Sequence, residues 1–344
     1  KPDGSCCRLA LTDEDRAARD LIVSLMRDAG MIVHVDAIGN ITGVRLGLED
    51  VAPVMTGSHI DTVATGGQFD GLYGVVSGLE VVRTLVEQGI TTRRPLALTV
   101  FTNEEGARFQ PDMMGSLVYA GGLSVEAAQS IIDRAGISVG EELERIGYTG
   151  SVGWTPPQPH AFVELHIEQG PILDAAGESL GAVQDLQAIA WTEVTIEGVS
   201  NHAGTCPMSM RRDAAFGAAR ICVAVRNLAQ SIGGSQVGTV GSVELVPNLV
   251  NVVARKAVMT IDLRNTDDDL LARAIESLEA ILNEVANEED LSITTRSLAR
   301  SPAVRFDEGV LEVIERSARS LGHPIRRMTS GAGHDAQMMA RICP

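Results

Sequence analysis

Lysine is nearly missing from this chain of 344 residues: Lys1 and Lys256 are the only two, so almost every positive charge is an arginine. Positive charge is itself scarce, with 28 Lys and Arg against 45 Asp and Glu and a formal net charge of −17. That balance argues against a phosphate backbone or an anionic membrane surface as partner, because both need clustered basic residues. Neither nucleic acid nor membrane is expected. Paired CxxC spacing is absent as well. The five cysteines, Cys6, Cys7, Cys206, Cys222 and Cys343, are odd in number and read as free thiols in a reducing cytoplasm. No apolar run reaches membrane-spanning length and no signal peptide is visible. Lys1 and Pro344 fall inside plausible elements, so both ends are expected to be incomplete. No internal repeat or low-complexity linker interrupts the chain.

What is present fits a globular enzyme. The length suggests two domains and the hydrophobic content is 44%. Thr12 with Asp15 resembles a capping box, and apolar residues at helical spacing follow from Ala18 to Ala29, stopping at Gly30. Met31 to Val35, Ile41 to Val44 and Val54 to Gly57 read as strands, Gly74 to Gln88 as a helix ended by Gly89. Leu96 to Phe101 is nearly continuous in apolar residues, which fits a strand covered on both faces of a mainly parallel sheet. Two modest helical patterns lie between Gly121 and Gly153. Phe162 to Ile167 reads as a strand carrying Glu164, His166 and Glu168 on one face by alternation.

From about Gln187 the pattern changes. Strands at Ile189–Glu197, Val237–Leu245, Arg255–Arg264 and Leu291–Leu298, with helices at Asp213–Ala229 and Asp267–Asn287, give the order β-α-β-β-α-β of the split ferredoxin-like unit. A helix over Glu308–Leu321 and another core strand over Ile325–Met328 then return to the first domain. The expected fold is therefore α/β: a mainly parallel-sheet domain over residues 1–186 and 300–344, with a ferredoxin-like α+β domain inserted at 187–299.

The polar residues concentrate just after the apolar strands. His59 and Asp61 follow the third strand, Asp70 lies in a Gly-rich turn before a helix, Glu104 and Glu105 end the Leu96–Phe101 run, and His166 and His334 follow later strands. In a parallel sheet such positions converge on one edge, where open α/β sheets keep their chemistry. Imidazole and carboxylate suit zinc, manganese, cobalt or nickel. A helix-capping Asp and a hydrogen-bonded core His explain the first stretch equally well when it is read alone. Three histidines with several acids in the same topological place favour a two-metal site, which needs a bridging carboxylate and terminal ligands. Asp61, two residues beyond His59, can hold the imidazole from behind. Of the adjacent Glu104 and Glu105, one can bind metal while the other moves protons. Arg264 ends an alternating strand, and its planar fork suits bidentate contact with a carboxylate. Gln169 and Gly333 are added as candidate substrate contacts.

Seven motifs in order, GSHIDTV, GGQFDG, FTNEEGARF, ELHIEQGP, SNHAGTCPM, PNLVNVV and SGAGHDA, resemble the amidase, hydantoinase and carbamoylase branch of the two-zinc aminoacylase and carboxypeptidase superfamily. The resemblance covers essentially the whole chain. It implies that His59, Asp70, Glu105, His166 and His334 are ligands of two divalent metal ions, with Asp70 bridging, and that Glu104 is the general base and acid. It places Asp61 behind the ligands, makes His202 the oxyanion stabiliser from a partner subunit, and gives the substrate carboxylate to Asn251 and Arg264. It further implies a homodimer formed through the inserted lid domain, acting on a small carboxylate-bearing ureido substrate. The implied reaction hydrolyses the N-carbamoyl C–N bond of an N-carbamoyl-L-amino acid, giving amino acid, ammonia and carbon dioxide. Allantoate amidohydrolase and β-ureidopropionase share that machinery. A di-zinc peptidase or aminoacylase, whose relatives use an acidic ligand where this chain has His166, and a non-catalytic metal-binding protein are the more distant alternatives. Members of the branch continue past SGAGHDA with a further strand, loop and helix, so the C-terminal part of the catalytic domain is expected to be cut short.

Overall fold

A computed structural model describes residues 4–150 and 154–344; the last three positions of the Gly121–Gly153 stretch lie outside the described residues. The chain divides into two compact units. One comprises Lys1–Ala182, Phe306–Arg326 and Ala332–Pro344, the other Val183–Arg305 and Arg327–Gly331.

The first unit begins with α1 (Asp13–Asp28), β1 (Ile32–Val35), β2 (Ile41–Arg45), β3 (Val54–His59), α2 (Leu72–Glu87) and β4 (Leu96–Phe101). It continues through α3 (Met114–Tyr119), α4 (Val125–Gln129), α5 (Val139–Ile146), β5 (Ala161–Val163) and α6 (Ile172–Ala176). Its five strands form one sheet in the order β1-β2-β4-β3-β5. The sheet is mixed, which corrects the mainly parallel expectation. β4 pairs parallel with β3, and β3 with β5, whereas β1 with β2 and β2 with β4 run antiparallel. The cause is local: only residues 36–40 separate β1 from β2, and so short a connection allows a hairpin and no crossover.

β4 is the centre of the sheet, and its alternation divides the core. Leu98 and Val100 pack in a cluster with Ile22, Met26, Ile41, Val75 and Leu79, while Ala97 and Phe101 pack with Met55, Phe162 and Met339. Both faces are covered, so the run is apolar except at Thr99, whose hydroxyl pairs with Thr42 Oγ1 at 3.1 Å. Each such buried side chain contributes about 1.5–3 kcal/mol from apolar surface withdrawn from water. Helix α1 starts where Thr12 Oγ1 accepts from the amide of Asp15. The Asp15 carboxylate does not complete a capping box. It accepts instead from Leu11 N at 2.8 Å and from Arg19 Nε at 2.8 Å. Arg19 is fully buried and also donates to Gly39 O at 2.7 Å and Thr102 Oγ1 at 3.3 Å, joining α1 to the turn after β1 and to the end of β4. Asn40 makes a second tie there, its Oδ1 accepting from Thr102 N at 2.9 Å.

The second unit contains β6 (Gly181–Leu186, whose first two residues belong to the first unit), β7 (Ala188–Glu197), α7 (Ala214–Ile232), β8 (Val237–Val246), β9 (Lys256–Asn265), α8 (Asp268–Glu288), β10 (Ser292–Ser301) and β11 (Val304–Arg305). The expected β-α-β-β-α-β order is present in β7 to β10, as a four-stranded antiparallel sheet ordered β10-β7-β9-β8. Asp213 and Asp267 cap the two helices by accepting from amides of their first turns. Ala257, Met259, Ile261 and Leu263 alternate inward from β9 to meet Ile221, Val225, Leu271 and Leu278. The chain then runs through α9 (Glu308–Ser320), β12 (Arg326–Ser330) and α10 (Asp335–Met339). β12 is not a strand of the five-stranded sheet, contrary to expectation; it lies in a three-stranded sheet ordered β11-β6-β12. Its first two residues, Arg326 and Arg327, are exposed, which a central core strand does not tolerate. Among the described residues no helix is long and apolar enough to cross a membrane.

Replacing Arg19 with Ala leaves the Asp15 carboxylate buried without its cation, and the expected loss is about 3–5 kcal/mol of folding stability. Urea unfolding of Arg19→Ala against the parent measures it; an unchanged midpoint would show that the pair holds nothing in place.

Candidate metal centre

In the first unit β3, β4 and β5 run parallel, so the residues beyond them emerge at one sheet edge. His59 is the last residue of β3. Asp70 immediately precedes Gly71, which caps α2 with φ of +63°, a left-handed conformation that favours glycine. Beyond β4 the chain turns through Asn103, also left-handed at φ 56°, whose side-chain amide donates to Phe109 O and Pro111 O. That turn delivers Glu104 and Glu105. β5 ends at Val163, so Glu164, His166 and Glu168 do not share a strand face as expected. They lie in irregular chain and meet different neighbours. Glu168, for instance, caps α6 by accepting from Ile172 N and Leu173 N at 2.6 and 2.8 Å. His334 is the N-cap of α10.

The geometry centres on Asp70. His166 Nε2 lies 3.1 Å from Asp70 Oδ1, and His59 Nε2 lies 3.9 Å from the same oxygen and 3.3 Å from Glu104 Oε2. The His166 and His334 rings are 4.2 Å apart between centroids. Each of the first two imidazoles spends its other nitrogen on a backbone carbonyl: His59 Nδ1 on Asp61 O and His166 Nδ1 on Ile167 O, both at 2.9 Å. A carbonyl only accepts, so Nδ1 carries a proton in both rings; with the rings neutral each Nε2 presents a lone pair, and His166 donates through Nε2 to Asp70 Oδ1 when it is protonated. Two lone pairs and a carboxylate then face one another, an arrangement that a cation satisfies. Among the described residues two sets of three side chains have donor atoms within 4.8 Å of one another: His59, Asp70 and His166, and Glu164, His166 and His334. The donor set fits divalent metal. Glu105 is in neither set. It accepts from Val63 N at 3.2 Å and lines a small polar cavity with Asp70, Glu104, Asp112, His166, Gln169, Gly333 and His334.

Asp61 stands behind the centre by a route other than the one expected. Its carboxylate is 3.8 Å from His59 Nδ1 and instead accepts from the amides of Glu104 and Glu105 at 3.2 and 3.3 Å. The Asp61 backbone orients the imidazole while its side chain fixes the two glutamates. Gln169 donates to Asp70 Oδ2 at 2.8 Å, so in this state it braces that carboxylate.

Burial dominates the electrostatics. It pushes Asp61 up to about 7, and the neighbouring Asp15 adds to the rise. It raises Glu104 well above the usual carboxylate range, reinforced by Asp335, Asp61, Glu164 and Glu105. Burial also lowers His59 to about 4 and His334 to about 3, with His166 opposing their charge. Asp70 moves the other way, its pKa lowered first by the hydrogen bond with His166.

His202, Asn251 and Arg264 belong to the second unit. His202 pairs with Val252 in an isolated bridge, Ala203 N donates to Asn251 O at 2.9 Å, and His202 Nδ1 accepts from Gly204 N at 3.1 Å. Arg264 donates through Nε and Nη2 to Asp262, and through Nη1 to Gly331 O at 2.5 Å. Ser58, Asp112, Ser116 and Asp335 emerge as neighbours of the centre only in three dimensions. Asp335 is fully buried and accepts from Ser116 Oγ at 2.5 Å. Its place beside His334 was the one available signal, since serines and a loop Asp carry no periodic pattern.

A family model described as peptidase family M20/M25/M40 matches residues 55–344. The chain is 38% identical over 349 residues to an N-carbamoyl-L-amino acid amidohydrolase of Geobacillus stearothermophilus, covering 100% of this chain and 85% of that protein. It is 34% identical over 355 residues to a ureidoglycolate hydrolase of Arabidopsis thaliana, covering 100% and 75%. The solved structure of an amidase of the hydantoinase/carbamoylase family from Burkholderia multivorans superposes with a TM-score of 0.96 at 43% identity, covering 100% of this chain and 84% of that one.

A Cβ at Gly71 would stand 2.4 Å from His59 Nε2. Gly71→Ala is therefore expected to displace the imidazole and lower bound divalent metal, measured by elemental analysis of the dialysed protein. Full metal content would show that this close approach does not position His59.

Proposed function

The chain belongs to peptidase family M20/M25/M40 and is a hydrolase, and from that premise we propose that it hydrolyses the ureido C–N bond of N-carbamoyl-L-amino acids. The observation that carries this reading is the placement of buried Glu104 3.3 Å from His59, beside a donor set fit for divalent metal. The substrate class is supported by the amidohydrolase relative that aligns with the whole chain. Hydrolases of the family use divalent metals. His59, Asp70, Glu105, His166 and His334 are the residues that would hold two such ions; zinc, manganese, cobalt and nickel all accept these ligands. When bound, the ions lower the pKa of water and polarise the ureido oxygen.

The chain's own residues do the rest. Glu104, its pKa raised by burial and by neighbouring carboxylates, takes a proton from the attacking water and returns it to the departing nitrogen. Water adds to the ureido carbon, the C–N bond breaks, and the carbamic acid formed loses carbon dioxide. Amino acid, ammonia and carbon dioxide balance the substrate and one water. Asp61 holds the Glu104 and Glu105 backbone so that neither carboxylate has to be placed at the moment of reaction. Arg264, its planar fork held by Asp262, is assigned with Asn251 to the substrate carboxylate, and Gln169 and Gly333 to the cavity wall. His202 is assigned to the oxyanion of a partner copy in a cytoplasmic homodimer.

The ureidoglycolate hydrolase relative favours a second reading, in which the same machinery works on a ureido acid such as ureidoglycolate or allantoate. Ammonia release from N-carbamoyl-methionine, N-carbamoyl-β-alanine, allantoate and ureidoglycolate, run in parallel, separates the two. Glu104→Gln is expected to keep its metal and lose about 10²–10⁴-fold in kcat on the preferred substrate. Turnover at the parent's rate would remove Glu104 from proton transfer.

A further inference from the structure

We propose that Glu164 is a positioning residue of the metal centre, its carboxylate tying together the three chain segments that carry His59, His166 and His334. The inference rests on the reading of those histidines as metal ligands. Ser58 Oγ donates to Glu164 Oε1 at 2.6 Å, and Ala336 N donates to Oε2 at 2.7 Å. Ser58 immediately precedes His59, Ala336 is the second residue after His334, and Glu164 is itself two residues before His166. One side chain thus meets the backbone neighbourhood of every imidazole in the centre.

Local structure explains why such a tie is needed. The ladder between β3 and β5 stops at the pair Thr56 and Val163, so no backbone hydrogen bond of that ladder holds the chain at Glu164 and beyond. The Glu164 carboxylate takes over one residue later by reaching across to Ser58, whose side chain is completely buried. At the other end, α10 starts at His334 without any side-chain cap of its own. A helix leaves its first amides unpaired, and Glu164 satisfies the one at Ala336 from a distant part of the chain. At 2.6 and 2.7 Å both are short, well-formed hydrogen bonds. Side chains that hold ligands in place in this way set metal affinity without touching the metal.

Glu164 also has a donor oxygen within 4.8 Å of those of His166 and His334, so direct coordination is the competing role. Both of its oxygens already accept a hydrogen bond, which favours the tie. The two roles respond oppositely to Glu164→Gln. A glutamine keeps one acceptor for the Ala336 amide and can donate its NH₂ to Ser58 Oγ, preserving the tie, but it loses the charge a ligand needs.

The test measures zinc and manganese affinity of the full chain by competition with a chromophoric chelator, alongside the thermal midpoint of the metal-free protein. Glu164→Ala is expected to loosen metal about 10–100-fold, Glu164→Gln to bind close to the parent, and Ser58→Ala to fall between them, with metal-free midpoints in a narrow range. Unchanged affinity in Glu164→Ala overturns the proposal. So does a Glu164→Gln that falls as far as Glu164→Ala, which would make the carboxylate a ligand. If Glu164→Ala fails to fold, Ser58→Ala decides: loosened metal supports the tie and parental affinity overturns it. A parent chain that binds no divalent ion overturns the metal reading itself and this proposal with it.

Discussion

Six carboxylates, Asp61, Asp70, Glu104, Glu105, Glu164 and Asp335, are gathered where burial opposes the charge of each, and the rest of the first unit is arranged around that cost. Acids this close cannot all ionise unless positive charge or hydrogen-bond donors meet them. Backbone amides serve Asp61, Glu105 and Glu164; hydroxyls serve Glu164 and Asp335; imidazoles serve Asp70. His59, Asp70 and His166 bring three donor atoms within 4.8 Å of one another, a set that fits a divalent cation.

The scaffold makes this possible through a few backbone decisions. The parallel pairing of β3 with β4 and β5 brings separate chain segments to one edge, and the left-handed turns at Gly71 and Asn103 aim Asp70 and the two glutamates back over it. Arg19 and Asn40 secure the end of β4 from beneath, so the turn that carries Glu104 and Glu105 begins from a fixed Thr102. The geometry of the candidate metal centre is in this sense a property of strand ends and their supports. A loop that moved freely could not keep these acids and three imidazoles at these distances.

Much of this was legible in the chain. The alternation and length of apolar runs located β2, β3, β4 and the β-α-β-β-α-β order of the second unit, because burial on one or two faces leaves a periodic trace. The residues gathered at the sheet edge were legible for a related reason: polar groups that follow an apolar strand have few places to go. Direction of pairing was not legible, since a hydrophobic strand reads the same in either sense. Nor was the early end of β5, where Glu164, His166 and Glu168 imitate alternation while each answers a different neighbour, nor the removal of β12 to a separate sheet, where exposed arginines share a strand with a buried Ser330.

The sequence by itself determined most of the elements that hold the candidate site and, through motifs spread over the whole chain, the family to which it belongs. Only the tertiary structure decided what those side chains lean on. That Asp61 grips the Glu104 and Glu105 amides, that Gln169 braces Asp70, and that Glu164 reaches both Ser58 and Ala336 are contacts between residues far apart in the chain. Spacing along a sequence encodes what lies on one face of one element; it carries no record of which distant amide a carboxylate will meet once the elements pack.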